Sequence, residues 1–343
     1  MATLSHDLLF VAIVGYLFAM MCYAAEYAFG ARGAVARVAE RQTSPVLVGA
    51  GAPAALDSDL DGLEVHGLDV DGLDASDDGP TDPLARFAPL LGRIAVILTA
   101  VGLVAHIGCL IARGLAAHRV PWGNMYEFII AVTLVASVAW MGLVTRRPSI
   151  RPLGLFVTGT LVVLLGLDET VLYTKVSPLV PALNSYWLKI HVTLAITASG
   201  ILMIGFCAAV LHLIRAGYEK RTAEELPMRY PYTLGPRLPE ADGLERLTFR
   251  IHAFAFPIWT LAIICGAIWA ESAWGRYWGW DPKETWAFIA WVAYACYLHA
   301  RATPSVRRTA ASWLAVIGWG TMMMNLFIVN IFVSGLHSYA GVK

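Results

Sequence analysis

Residues 8–29 read LLFVAIVGYLFAMMCYAAEYAF, a run in which Glu26 is the one charged side chain. A helix of about 20 apolar residues crosses the hydrocarbon layer of a bilayer. No basic stretch precedes this run, and it is long enough to span. It therefore reads as a retained helix and not as a cleaved leader. The rest of the chain repeats the theme. Of its 343 residues, 58% are hydrophobic and 15% charged. A soluble domain of that size carries about 25% charged residues, so the surplus apolar surface must face lipid.

Further apolar windows bring the predicted spans to about eight: 7–29, 88–112, 125–145, 152–168, 187–214, 250–270, 284–302 and 311–335. Backbone groups in lipid must be satisfied within their own segment, so each window is predicted to be a helix. The expected fold class is all-α, a polytopic transmembrane bundle.

Loop charge orients it. One set of loops is basic, with Arg32, Arg37 and Arg41, then Arg146, Arg147 and Arg151, then the Arg215–Arg250 segment, then Arg301, Arg307 and Arg308. The alternate loops hold Arg113 and Arg119, Lys175, and Arg276 and Lys283. Eight spans with both termini outside reproduce that alternation under the positive-inside rule.

Between the first two spans, the 31–87 segment changes character. Asp57, Asp59, Asp61, Glu64, Asp69, Asp71, Asp74, Asp77, Asp78 and Asp82 occur from Ser44 to Pro83 without a lysine or arginine. Such a composition predicts a disordered, cytoplasmic acidic linker. Asp57, Asp59, Asp61 and Gly62 match the start of a calcium loop, but Leu68 stands where the bidentate glutamate is needed. The domain plan is thus a first helix (1–30), the linker (31–87) and a membrane domain (88–343). Cys22, Cys109, Cys207, Cys265 and Cys296 lie in apolar windows with no CxxC pair, so they read as small buried hydrophobes.

Residues 269–291 read WAESAWGRYWGWDPKETWAFIAW, placing Trp269, Trp274, Trp278, Trp280, Trp286 and Trp291 in one short segment with Tyr277. Indoles gather at the headgroup level of membranes, which accounts for some of them. Their density also makes a flat apolar platform for a large planar ligand, and from physics alone both readings stand. Asp281, Pro282 and Glu284 read as a capped helix start.

The run from Trp274 to Trp286 resembles the WWD signature of the haem-handling proteins of cytochrome c biogenesis. Its WDPKETW ending resembles the CcsA/ResC branch, also called CcsB. The likeness extends to Trp122-Gly-Asn-Met-Tyr-Glu127, Trp187-Leu-Lys-Ile-His191, Tyr297-Leu-His-Ala-Arg301, Asn330 and Gly335-Leu-His-Ser-Tyr339. It implies a haem b carrier in the bacterial plasma membrane, with the WWD loop 269–286 facing outside. The resemblance further implies a ResB-type partner, and an apocytochrome c whose CxxCH thiols add to the haem vinyl groups. The pair would form a holocytochrome c synthase. The lipid membrane is the setting and no nucleic acid is involved.

Topology sorts the histidines. His191 starts the fifth span and His337 follows the eighth, so both share the face of the tryptophan loop. Two neutral imidazoles across a porphyrin hold a six-coordinate iron, and the family's matching histidines do so for an external haem. His299 is about 27 Å along the seventh span from Asp281 at 1.5 Å per residue, near the other face. It reads either as a capping or snorkelling side chain beside Arg301 or, by the resemblance, as a ligand of a second, intramembrane haem completed by the partner. The expected cofactor-binding set is His191, His337, His299, Trp274, Trp278, Trp280, Asp281 and Trp286, with the three histidines as metal ligands. No acid, base or nucleophile stands out, so catalysis would be by positioning. Two rival readings are a haem exporter without ligation activity and a cofactor-free assembly factor.

Overall fold

The computed structural model describes residues 1–30, 83–177 and 183–337. The acidic linker and its calcium-loop resemblance lie outside the described residues. Eight long helices follow in order: α1 (Ala2–Phe29), α2 (Pro83–Ala117), α3 (Met125–Arg146), α4 (Pro148–Leu172), α5 (Tyr186–Ala223), α6 (Ala241–Trp274), α7 (Pro282–Ala302) and α8 (Arg308–Phe332). A 3-10 turn opens α4 and a π turn ends it, and a second π turn, Met324–Ile328, interrupts α8. No strand occurs among the described residues. The chain is an all-α polytopic membrane bundle.

Seven of the eight helices are long and apolar enough to cross a membrane, and α7 is the exception. Its 21 residues have the length, but Lys283, Glu284, His299 and Arg301 at its ends lower its hydropathy. Position places it with the others. Asp281, the N-cap of α7, holds the segment that follows α8, while the short turn at 303–307 joins the opposite ends of the two helices. The pair is therefore antiparallel and coextensive. The helices α5 and α6 run beyond the predicted windows, to Ala223 and back to Ala241. Those extensions carry Lys220, Arg221, Asp242 and Glu245, polar helix that a hydropathy window does not register.

The first two helices pack closely through small residues. A Cβ at Gly15 would lie 3.1 Å from the Gly102 Cα, and one at Gly102 would meet the Tyr16 ring at 3.0 Å. Close backbone approach of this kind replaces the hydrophobic drive that lipid removes. Polar cross-links pin the pair to its neighbours. The Tyr16 hydroxyl lies 2.8 Å from Ser137 Oγ and 3.2 Å from His106 Nδ1, whose Nε2 is 2.9 Å from the Ile130 carbonyl. His106 is thus fully occupied in tying α1, α2 and α3 together. Helix α5 runs through the middle, against α3, α6 and α8.

One end of the bundle gathers the start of α1, through His6–Glu169, and the end of α2. The starts of α3, α5 and α7 and the ends of α6 and α8 lie there too. At the opposite end, Arg151 pairs with Glu26 and Arg301 with Glu245. Both ends of the described chain therefore lie at one end of the bundle.

At that same end, Glu127 is fully buried beneath two guanidinium groups. Arg113 Nε reaches it at 3.1 Å, Arg119 Nη1 at 2.7 Å, and the Gly123 N–H adds a bond at 2.8 Å. These arginines, counted above as loop charges, are structural clamps on the turn that leads into α3. The five cysteines are free, and Cys109 and Cys207 are buried as expected, while Cys296 is exposed.

Candidate functional site

A cavity opens at this end among α3, α5, α6, α7 and α8, with about 1480 Å³ of empty space including its open mouth. Its wall is mainly apolar, lined by Phe128, Leu188, Trp259, Met322 and Leu326 together with Trp122, Trp274 and Trp278. His191 and His337 both line it.

Each histidine is held by one nitrogen. The His191 Nδ1–H donates to the Ala262 carbonyl at 2.7 Å. Since a carbonyl oxygen only accepts, the proton sits on Nδ1 and Nε2 carries the free lone pair. Room for this ring comes from Gly266, where a Cβ would lie 2.7 Å from the imidazole. His337 reaches Asp281 Oδ1 at 2.8 Å through Nδ1, which fixes the same tautomer against a carboxylate. Carboxylate partners orient ligand imidazoles and raise their basicity. The two rings are thus prepared alike but unequally, one on a neutral carbonyl and one on an anion.

Asp281 has a second task. It is the N-cap of α7, accepting from the Lys283 N–H at 3.1 Å, while Glu284 accepts from the Asp281 N–H at 3.1 Å and the Gly279 N–H at 2.9 Å. This is a capping box with Pro282 in the first turn, as the sequence predicts. Its other oxygen accepts the Leu336 N–H at 2.7 Å. Burial alone would raise the Asp281 carboxyl, but the bonds from His337, Leu336 and Lys283 together hold it below the ordinary carboxylate value. One side chain therefore ties the loop, α7 and the chain end to one another.

The predicted tryptophans divide. Trp274 lines the cavity and meets the edge of His337, with ring centroids 4.9 Å apart. Trp278 also lines it. Trp280 does not; its backbone is left-handed (φ 57°), and its indole is 66% exposed against Trp278 and Phe288. Trp286 is partly buried on α7 and lies outside the lining. His299 is exposed in the last turns of α7, towards the opposite end, and takes no part in the cavity.

The sequence reading left Trp269 out of the binding set. It is 2% exposed, stacks on His191 (centroids 6.3 Å apart, planes 8° apart) and contacts both Trp274 and His337. Its place in the last turns of α6 was the available signal, since that puts it at the level of His191 on the neighbouring helix. Asn124, Lys283, Asn325 and Asn330, also on the wall, come from segments far apart in the chain.

Residues 122–337 match the model of the family described as cytochrome C assembly protein. The matched stretch begins at Trp122 and ends at His337, two residues of the cavity. The chain belongs to that family. CcsA cytochrome c biogenesis proteins are among its relatives. That of Guillardia theta is 34% identical over 263 residues, 73% of this chain and 85% of its own length. That of Gloeobacter violaceus is 30% identical over 302 residues, 74% and 88%. A solved structure, the cytochrome c haem lyase CcmF, is similar with a TM-score of 0.55 at 16% identity, a likeness of fold alone. That comparison covers 95% of this chain and 46% of the CcmF chain, so this chain spans about half of it.

Proposed function

We propose that this chain binds haem b as a substrate between His191 and His337, and presents it at the outer membrane face for covalent attachment to CxxCH apocytochromes c. The observation that carries the reading is that two histidines from distant parts of the chain line one cavity, each oriented by a bond through its Nδ1. Two imidazoles supply axial ligands, and haem brings its own four equatorial nitrogens. Trp269, Trp274 and Trp278 offer apolar faces and edges to the ring. Loop charge supports an outward-facing cavity, because Arg146, Arg147, Arg301, Arg307 and Arg308 lie towards the other end of the bundle.

The chain's contribution is positioning. A haem held by its iron waits at a fixed place for thiols arriving at the mouth, which turns a meeting of separate molecules into a reaction at one site. The incoming histidine of CxxCH would then replace one axial ligand. A ResB-type protein is the proposed partner, completing a holocytochrome c synthase in the plasma membrane. His299, exposed towards the inner end of α7, is the proposed ligand of a second haem whose other ligand the partner supplies. The proposed domain plan is a first helix (1–30), an acidic linker (31–87) and the haem-handling membrane domain (88–343).

The direct test is reconstitution of the purified chain and its partner with haem and an apocytochrome c. Thioether-linked haem, read by denaturing gel peroxidase stain, is expected with CxxCH and not with AxxAH. Haem that crosses the membrane without linkage would favour an exporter instead. A second expectation concerns Gly266→Ala. Alanine favours helix, but its Cβ displaces His191, so haem affinity should fall about tenfold, a loss of about 1.4 kcal/mol. Unchanged Soret titration of that variant would count against His191 as ligand.

A further inference from the structure

On the wall of the same cavity, a lysine and an asparagine each keep a donor that meets no oxygen acceptor among the described residues. Lys283 Nζ lies 3.3 Å from Met125 Sδ, a thioether and a weak acceptor, and forms no ion pair with any described residue. Next to Met125 in the chain, Asn124 is 6% exposed and caps α3, its Oδ1 accepting the Glu127 N–H at 2.8 Å. That bond fixes which amide atom is oxygen. The remaining Nδ2 has no hydrogen-bond partner among the described residues. Both side chains line the cavity, and the contact between Met125 and Lys283 brings α3 and α7 together there.

Neighbouring carboxylates do not consume these donors. Glu284 also lines the cavity, but its Oε2 is turned onto the Gly279 and Asp281 N–H groups. Asp281 is occupied by His337, Leu336 and Lys283 N–H. Glu127 lies under Arg113, Arg119 and the Gly123 N–H. An ammonium and an amide N–H on a mainly apolar wall suit a carboxylate, since a buried donor without an acceptor is costly.

We infer that Lys283 and Asn124 form a subsite for the propionate carboxylates of haem, fixing how the macrocycle is rotated about the line from His191 to His337. This rests on the proposed haem reading and adds to it. Axial ligands alone leave a porphyrin free to turn about the iron, so they do not decide which edge faces the mouth. Haem has its two carboxylates on one edge and its vinyl groups elsewhere on the ring. Anchoring the acidic edge against α3 and α7 selects one rotation, and with it the position of the vinyl groups.

The test compares ferric haem with its dimethyl ester, which keeps the ring and iron and lacks the negative charges. The full chain in detergent is titrated with each and followed by Soret absorbance. The wild type is expected to bind haem at least about tenfold more tightly than the ester. Lys283→Met keeps the aliphatic stem against Met125, and should bring the two affinities to within about threefold. Asn124→Asp keeps the helix cap and replaces the donor by an anion, so it should weaken haem more than ester. Lys189→Met, an exposed lysine on α5, should leave the wild-type preference intact. Retention of a bis-imidazole spectrum with the ester shows that each variant is folded.

Equal affinities of the wild type for haem and ester would overturn the subsite while leaving the histidine pair standing. An unchanged preference in both Lys283→Met and Asn124→Asp would do the same. A wild type that binds neither compound would remove the haem reading itself, and the subsite with it.

Discussion

Replacing His191 or His337 with alanine is expected to abolish the bis-imidazole spectrum of the haem-loaded protein. Each change removes an iron ligand outright, so the loss of affinity should exceed the about 10–100-fold that follows from deleting a ligand's hydrogen-bond partner. Free imidazole should restore the spectrum in both variants, because the acceptors stay in place. The Ala262 carbonyl belongs to the α6 backbone, and Asp281 remains fixed as the cap of α7. Rescue should weaken when the acceptor is removed as well, as in the double change Asp281→Ala with His337→Ala. His299→Ala should leave the cavity spectrum unaltered, since that side chain lies towards the far end of α7. A single His191 or His337 variant that keeps an unmodified bis-imidazole spectrum would remove that residue from the site.

How much of this was readable beforehand depended on what each feature answers to. Lipid imposes helices on apolar windows, so the helix order and the common end of the termini follow from hydropathy and counting. The same counting brought His191 and His337 to one end, because it needs only the parity of the spans between them. The separation of His299 followed from the rise per residue. Side-chain direction was less accessible. Trp280 looked equivalent to Trp278, but a left-handed backbone at Trp280 turns its indole outwards, and local composition does not announce that turn. Hydropathy also understated α7, whose membership of the bundle is set by its pairing with α8. Arg113 and Arg119 counted as solvated loop charges until packing placed Glu127 beneath them. The polar patch formed by Asn124, Lys283 and Asn325 required the start of α3 to meet the α7–α8 pair, far along the chain, a matter of tertiary packing alone.

Asp281 is where the local and distant parts of the site meet, and Asp281→Asn should show it. The carboxylate accepts from His337 Nδ1, Leu336 N and Lys283 N; an asparagine can offer one oxygen to these donors and turns an N–H towards the others. His337 then loses the acceptor that keeps its proton on Nδ1, and the chain end loses its anchor. Hydrogen bonds to a charged group contribute about 1.5–3 kcal/mol. Haem affinity is therefore expected to fall by about 10- to 100-fold, with the midpoint potential of the retained haem raised because the imidazole becomes less basic. The pH dependence has a definite sign. Asp281 is held below its ordinary carboxyl value of 3.8, so its stabilisation is fully present above that value and is lost as pH falls through the depressed one. In the haem-free protein, tryptophan fluorescence from Trp269 and Trp274 beside His337 should thus report release of the chain end in an acid transition below about pH 4. Asp281→Asn should lack that acid transition and give the released signal across the whole range. A variant that keeps both wild-type haem affinity and the wild-type acid transition would show that the cap of α7 and the seat of His337 are independent of this carboxylate.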